Sequence, residues 1–219
     1  MQKKYNPEQT LKKIVSVSAK LFFEKGYSKT SMQDIVNELG MSKGAIFHHF
    51  KSKDDIFEAV IMRMALDQVD SYKDKLAKEM QHLTARDKIT SLIILSLTEN
   101  ENAVSQMLQT RIFDSKVIVG IMKFNVELSA PIVADLLREG IEDGSINTKY
   151  PDECAQVLML LFNIWCDPII FKCDMQAYRK RFEYLQHLMK ISGVDIITDE
   201  LIELNIRFTQ KLSEVHYDI

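Results

Sequence analysis

Residues 30–57, TSMQDIVNELGMSKGAIFHHFKSKDDIF, decide how this chain is read. Ser31, followed three residues later by Asp34, is a capping-box-like helix start, with the serine oxygen placed to accept a first-turn N–H. Met32, Ile35, Val36 and Leu39 recur at helical spacing and form one apolar face. Gly40 stands where that helix must stop, because it has no Cβ to oppose the left-handed conformation of a C-cap. Met41 is apolar in a turn and is expected to plug the angle between two helices. Ser42 is a good N-cap for a second helix over 43–50. Two helices joined at so tight a turn predict a helix-turn-helix, whose second helix enters the DNA major groove.

That second helix has the wrong composition for a core element and the right one for DNA. Its start, Ser42-Lys43-Gly44-Ala45, is small and cationic. Free N–H groups at a helix start attract phosphate, and Gly44 lets a DNA backbone come close. Ala45 can touch a thymine methyl, and Lys43 can reach guanine acceptors or phosphate. Ile46 and Phe50 lie four apart and face inward, leaving Phe47, His48 and His49 on the remaining surface. Adjacent histidines point ~100° apart on a helix and do not share a metal ligand position. Lys51 and Lys53 follow, and Ser52 with Asp55 caps the next helix, which sets Lys53 near the DNA backbone. Upstream, Asn6-Pro7 starts a first helix whose face carries Leu11, Ile14, Val15, Ser18, Ala19 and Phe22, and Gly26 closes it.

Residues 8–68 closely resemble the DNA-binding domain of the tetracycline-repressor (TetR) family of bacterial regulators. The resemblance is carried by the first helix ending LFFEKGY, then TS, DIV, LGMSKGAIFHHF and KSKDDIF. The family usually has tyrosine where this chain has Phe47, so an apolar contact is kept and a phosphate hydrogen bond is lost. The resemblance implies DNA-facing positions at Thr30, Ser31, Ser42, Lys43, Gly44, Ala45, Phe47, His48, His49 and Lys53. It also implies an all-α fold. The expected domains are a three-helix DNA-binding domain over 1–53, with a long connecting helix from about 54, and a helical effector-binding and dimerisation domain over 54–219.

Charge divides the chain in the same place. Ten lysines stand against four acids in residues 1–53, giving +6, while the whole chain carries −3. A basic head on an acidic body directs DNA to one end. Lys3-Lys4 reads equally as a phosphate-touching arm and as a solvated tail. The N-terminus is polar, with no signal peptide, and Cys154 to Cys166 is too short and too polar to span a bilayer. Three cysteines, an odd number, point to the reducing cytoplasm, with a redox pair of Cys166 and Cys173 as a minor alternative. The sequence shows no nucleophilic triad, phosphate loop or metal-ligand spacing, so neither an enzyme nor a cofactor or metal protein is expected.

Beyond the head, helices are expected near 54–80, 85–99, 101–113, 117–141, 152–172, 175–191 and 198–215, with a kink or break at Pro131. The helix after Pro151 is apolar on nearly every side, from Ala155 to Trp165. Something must cover its outer face. A second copy, pairing this helix and the next (Tyr178 to Met189) as a four-helix interface, is one solution; a central helix in a monomer is the other. The resemblance favours the homodimer, whose two recognition helices read a palindromic operator. It further implies a small-molecule effector among the middle helices, with candidates Met62, Leu66, Met107, Arg111, Phe113, Met122, Phe124, Phe162, Asn163 and Trp165. Methionines and aromatics suit a fairly apolar ligand, with Arg111 or Asp167 as polar partner. The expected function is a repressor released by an inducer; an activator, or a regulator controlled by a partner protein, is the alternative.

Overall fold

The computed structural model describes residues 7–99, 115–168 and 170–216. Every regular element among them is helical. They are α1 (Pro7–Lys25), α2 (Met32–Leu39), α3 (Lys43–His49), α4 (Lys53–Lys78), α5 (Ala85–Glu99), α6 (Ser115–Phe124), α7 (Ala130–Asp143), α8 (Pro151–Leu160), α9 (Met175–Ile191) and α10 (Asp199–His216). Two π-helical segments interrupt them: Asn125–Ser129 joins α6 to α7, and Leu161–Trp165 extends α8. The predicted helix over 101–113 lies outside the described residues, as do Lys3, Lys4, Met107, Arg111 and Phe113. The chain divides into two compact units within α4, between Gln68 and Val69.

The first unit is a small apolar cluster wrapped by short helices. Ile14, Leu21 and Phe22 of α1 meet Ile35 and Leu39 of α2, Ile46 of α3, and Ile56, Phe57 and Val60 of α4 among its buried residues. Phe22, Tyr27 and Phe57 stack edge-on with centroids 4.9–5.7 Å apart, a geometry that aligns ring edges with ring faces. Leu11, expected on the buried face of α1, is instead 40% exposed.

The second unit is a helical body around a larger core that includes Ile89, Leu137, Ala155, Leu158, Phe182, Leu185, Met189, Ile196 and Leu201. α7 packs on α8 and on α5, and α9 packs on α10. Asp143 at the end of α7 caps α5 by accepting from the Ala85 N–H at 2.8 Å. These hydrogen bonds hold the Asp143 carboxyl below the usual carboxylate range. Past α7, Gly144 takes φ 79°, and the Asn147 N–H donates to the Gly193 carbonyl at 3.0 Å. Gly193 has φ 79°, and a Cβ there would lie 1.7 Å from the Asn147 carbonyl oxygen, so this close approach requires glycine.

Two expectations are corrected. Pro131 produces no break: the helix continues through a π-turn, in which the Ala130 N–H reaches back to Asn125 O, and Pro131 then stands at the start of α7 where its missing N–H is harmless. The helix expected over 152–172 ends at Trp165, where the Cys166 N–H donates to Leu161 O at 2.8 Å to close a π-turn two residues before Pro168.

Candidate nucleic-acid interface

The helix-turn-helix is built from local hydrogen bonds that the sequence spells out. Ser31 Oγ accepts from the Asp34 N–H at 3.1 Å, and Asp34 Oδ2 accepts from the Ser31 N–H at 2.8 Å, a full capping box. Those hydrogen bonds, with Lys25 nearby, bring the Asp34 carboxyl down to about 2. Gly40 closes α2 in the left-handed region at φ 62°. Ser42 Oγ accepts from the Ala45 N–H at 3.3 Å and starts α3. Ile46 is fully buried and Phe50 nearly so, which fixes the rotation of α3 about its axis.

With Ile46 and Phe50 inward, Ser42, Lys43, Gly44 and His48 are exposed, while Ala45, Phe47 and His49 are half-buried. Nothing lies within 4 Å of the point where a Cβ on Gly44 would sit. The Lys43 Nζ lies 5.5 Å over the Phe47 ring, and no ion pair holds it among the described residues. The His48 and His49 rings meet edge-on at 80°, and among the described residues no group of three or more His, Cys, Asp or Glu side chains is placed to hold a metal. Ser31 is exposed at the start of α2. On α1 and α2, Glu8, Asp34 and Glu38 pair with Lys12, Lys25 and Lys20, so much of the head's negative charge is spent on its own lysines.

Of the residues assigned to DNA contact, Thr30 faces inward, and Lys53 is half-buried with its ammonium engaged by backbone carbonyls. Thr30 is 1% exposed, and its hydroxyl donates to Gly26 O at 2.8 Å and Leu21 O at 3.3 Å, tying α2's entry to the end of α1. Lys53 donates from Nζ to Tyr27 O at 2.8 Å and Thr30 O at 2.9 Å, and lies 4.1 Å from the Tyr27 ring centroid. Partial burial pulls its ammonium below the ordinary lysine range. The Tyr27 hydroxyl donates to Asp54. Sequence reading missed this clamp; Tyr27, the one aromatic in the turn after α1, was its only signal.

The effector candidates split between the units. Met62 and Leu66 are exposed on the first-unit part of α4. Phe162 and Trp165 pack on the core of the second unit, Asn163 is half-buried beside them, Phe124 is half-buried and Met122 is exposed. Cys166 is fully buried, and burial pushes its thiol up to about 12, so it is a packing group rather than a reactive thiolate. Among the described residues no helix is long and apolar enough to cross a membrane.

An exposed second helix on a capped three-helix head, followed by a separate helical body, defines a helix-turn-helix transcriptional regulator. Residues 14–60 match the model for bacterial regulatory proteins of the tetR family, and residues 94–184 match the tetracyclin repressor-like C-terminal domain. The chain belongs to the TetR family, whose members are DNA-binding regulators and not enzymes. It is 30% identical over 101 residues to the regulator YerO of Bacillus subtilis, a match covering 40% of this chain and only about a third, 35%, of YerO. It is 28% identical over 145 residues to the repressor KstR2 of Mycolicibacterium smegmatis, covering 64% of this chain and 68% of KstR2. The fold is similar to that of FadR from Bacillus subtilis, solved in complex with stearoyl-CoA: TM-score 0.53 at 17% identity, covering 94% of this chain and 99% of that one.

Proposed function

We propose that this chain is a homodimeric repressor that occupies a palindromic operator and leaves it when a small, fairly apolar inducer binds the helical body. The observation that carries the reading is α3: its N-cap is closed by Ser42, its inner face is pinned by Ile46, and Lys43, Gly44 and His48 are presented outward. Ser31, Ala45, Phe47 and His49 flank that surface. Residues 1–53 act as the DNA-reading domain and residues 54–219 as the sensing and pairing domain. Repression is supported by the likeness to KstR2, and an apolar effector by the stearoyl-CoA bound to FadR.

Dimerisation is supported by what α8 and α9 leave uncovered. Cys154, Ala155 and Leu158 are buried against this chain, whereas Val157 is 39% and Tyr184 56% exposed. A second copy pairing these helices covers such a face and places two α3 helices for two half-sites. The inducer then acts by binding more tightly to a state whose heads no longer match the operator, and it can shift the equilibrium only by that difference.

Fluorescence anisotropy against the DNA upstream of the chain's own gene, with a scrambled duplex as control, at two salt concentrations, tests this. Tight, salt-dependent binding to the native DNA alone is the expected result. No binding to either duplex at low salt would overturn the assignment of α3.

A further inference from the structure

In the second unit the two π-helical segments each carry one asparagine, and the two side chains meet. Asn163 Nδ2 donates to Met159 O at 3.0 Å and to Asn125 Oδ1 at 3.4 Å. The bond to a carbonyl fixes which way round the Asn163 amide stands, and that in turn fixes Asn125. Asn125 is 5% exposed, and its Nδ2 is buried with no hydrogen-bond partner. Turning Asn125 over would set two NH2 groups face to face, so the unmatched donor is a property of the arrangement.

Buried polar groups are matched as a rule, and an unmatched one calls for an explanation. A leucine of similar size would fill the same volume without an idle donor. The backbone is unusual at the same place: both asparagines sit where an α-helix has been widened into a π-turn, a distortion that recurs at functional sites. The segment Asn125–Ser129 packs against α8, so the two distortions belong to one neighbourhood. On the same π-turn as Asn163, the half-buried Phe162 ring packs edge-on against Phe182 at 5.4 Å and the Trp165 ring against Tyr184 at 6.0 Å, so the apolar surface next to Asn163 is shared with α9.

We propose that Asn125 and Asn163 form the polar end of the effector site, and that the effector is a largely apolar molecule whose neutral carbonyl oxygen accepts from Asn125 Nδ2. The proposal rests on the reading of the chain as ligand-responsive. A carbonyl fits because the free group is a donor and neither asparagine carries charge. A carboxylate would have to leave water for a pair of amides that offers no countercharge. Asn163 is the positioning residue: it holds Asn125 by its oxygen and so aims the nitrogen.

Trp165 is the single tryptophan of the chain and stands two residues from Asn163 with its ring against Tyr184, so binding is followed both by its emission and by the shift in melting temperature. The full-length protein is titrated with methyl laurate, laurate and dodecane, which share an apolar tail and differ in the acceptor. Methyl laurate is expected to change Trp165 emission saturably and to bind about tenfold tighter than dodecane or laurate, the worth of one buried hydrogen bond. Asn125→Leu is expected to erase that preference while melting at the same or a higher temperature. Asn163→Leu, which frees Asn125 to turn, is expected to weaken the preference and gives a second route if the first variant does not fold. A preference for the ester that survives both substitutions overturns the site and leaves ligand responsiveness standing. So does a wild-type preference for laurate. If no probe binds the wild-type protein, the site is overturned, while release of the operator by other compounds decides the ligand-responsive reading separately.

Discussion

The head and the body of this protein are held together at different ranges. In the head, the helix starts are set by contacts three residues apart, Ser31 with Asp34, Ser42 with Ala45 and Ser52 with Asp55, and one longer clamp, Lys53 on Tyr27 and Thr30, is added to them. In the body it comes from residues far apart in sequence, such as Asp143 capping α5 across 58 residues and the Gly193 backbone resting on Asn147. Caps of this kind are written into the chain locally and fix where each helix starts, which suits an element that must present one helix face. A structure of long-range contacts responds as a whole when one contact changes, which suits the sensing role proposed for the body.

The comparison is broken most severely at Gly193. Gly193→Ala places a Cβ against a backbone carbonyl at positive φ, and a loss of about 3 kcal/mol or more is expected in chemical denaturation of the body. A loss under ~1 kcal/mol would show that the turn after α7 yields easily and that the body is not rigidly coupled there. Next is Lys53→Met, which leaves the Tyr27 and Thr30 carbonyls without their donor. It is expected to destabilise the head by about 1–3 kcal/mol while leaving the salt slope of DNA binding unchanged. A slope reduced by about one unit would instead mark Lys53 as a phosphate contact.

Lys43→Ala sharpens the contrast from the other side. It is expected to leave melting unchanged and to weaken operator affinity by ~1–3 kcal/mol if the lysine reads a guanine. Anisotropy at fixed salt measures it, and unchanged affinity removes Lys43 from the interface. The smallest effect is that of acid on the Asp34 capping box. The carboxyl is held at about 2 against an ordinary 3.8, so its contribution to stability is complete above pH 3.8 and is lost as pH falls toward 2. Asp34→Asn is expected to flatten that part of the melting-temperature profile. An unchanged profile would mean that the box contributes nothing to the head.

The range of the contacts also explains what was legible in the sequence. Capping boxes and a glycine stop are written within four residues, so α2, α3 and their turn could be read directly, and α9 was placed at its observed limits. Thr30 was carried over from the resemblance alone, and its hydroxyl is used by the carbonyls of Leu21 and Gly26 at the end of α1. The second use of Lys53 went unread because nothing in the local pattern shows a lysine folding back 26 residues to Tyr27. Asn125 went unread because a lone polar residue in a helix reads as solvated. Pro131, six residues on, signalled a distortion, but that it takes the form of a continuous helix through a π-turn is not written in the local pattern. Asn163 was found, though only as one polar residue in an apolar run and without its partner.

Gly44 has a consequence of a different kind. Because a Cβ there would meet nothing within 4 Å in the free protein, the fold exerts no veto on alanine at that position. Alanine would even raise helix stability by about 1 kcal/mol. The residue is therefore open to selection by what lies outside the molecule alone. A lineage can exchange it, and with it the preferred operator, in a single step that the rest of the chain does not register.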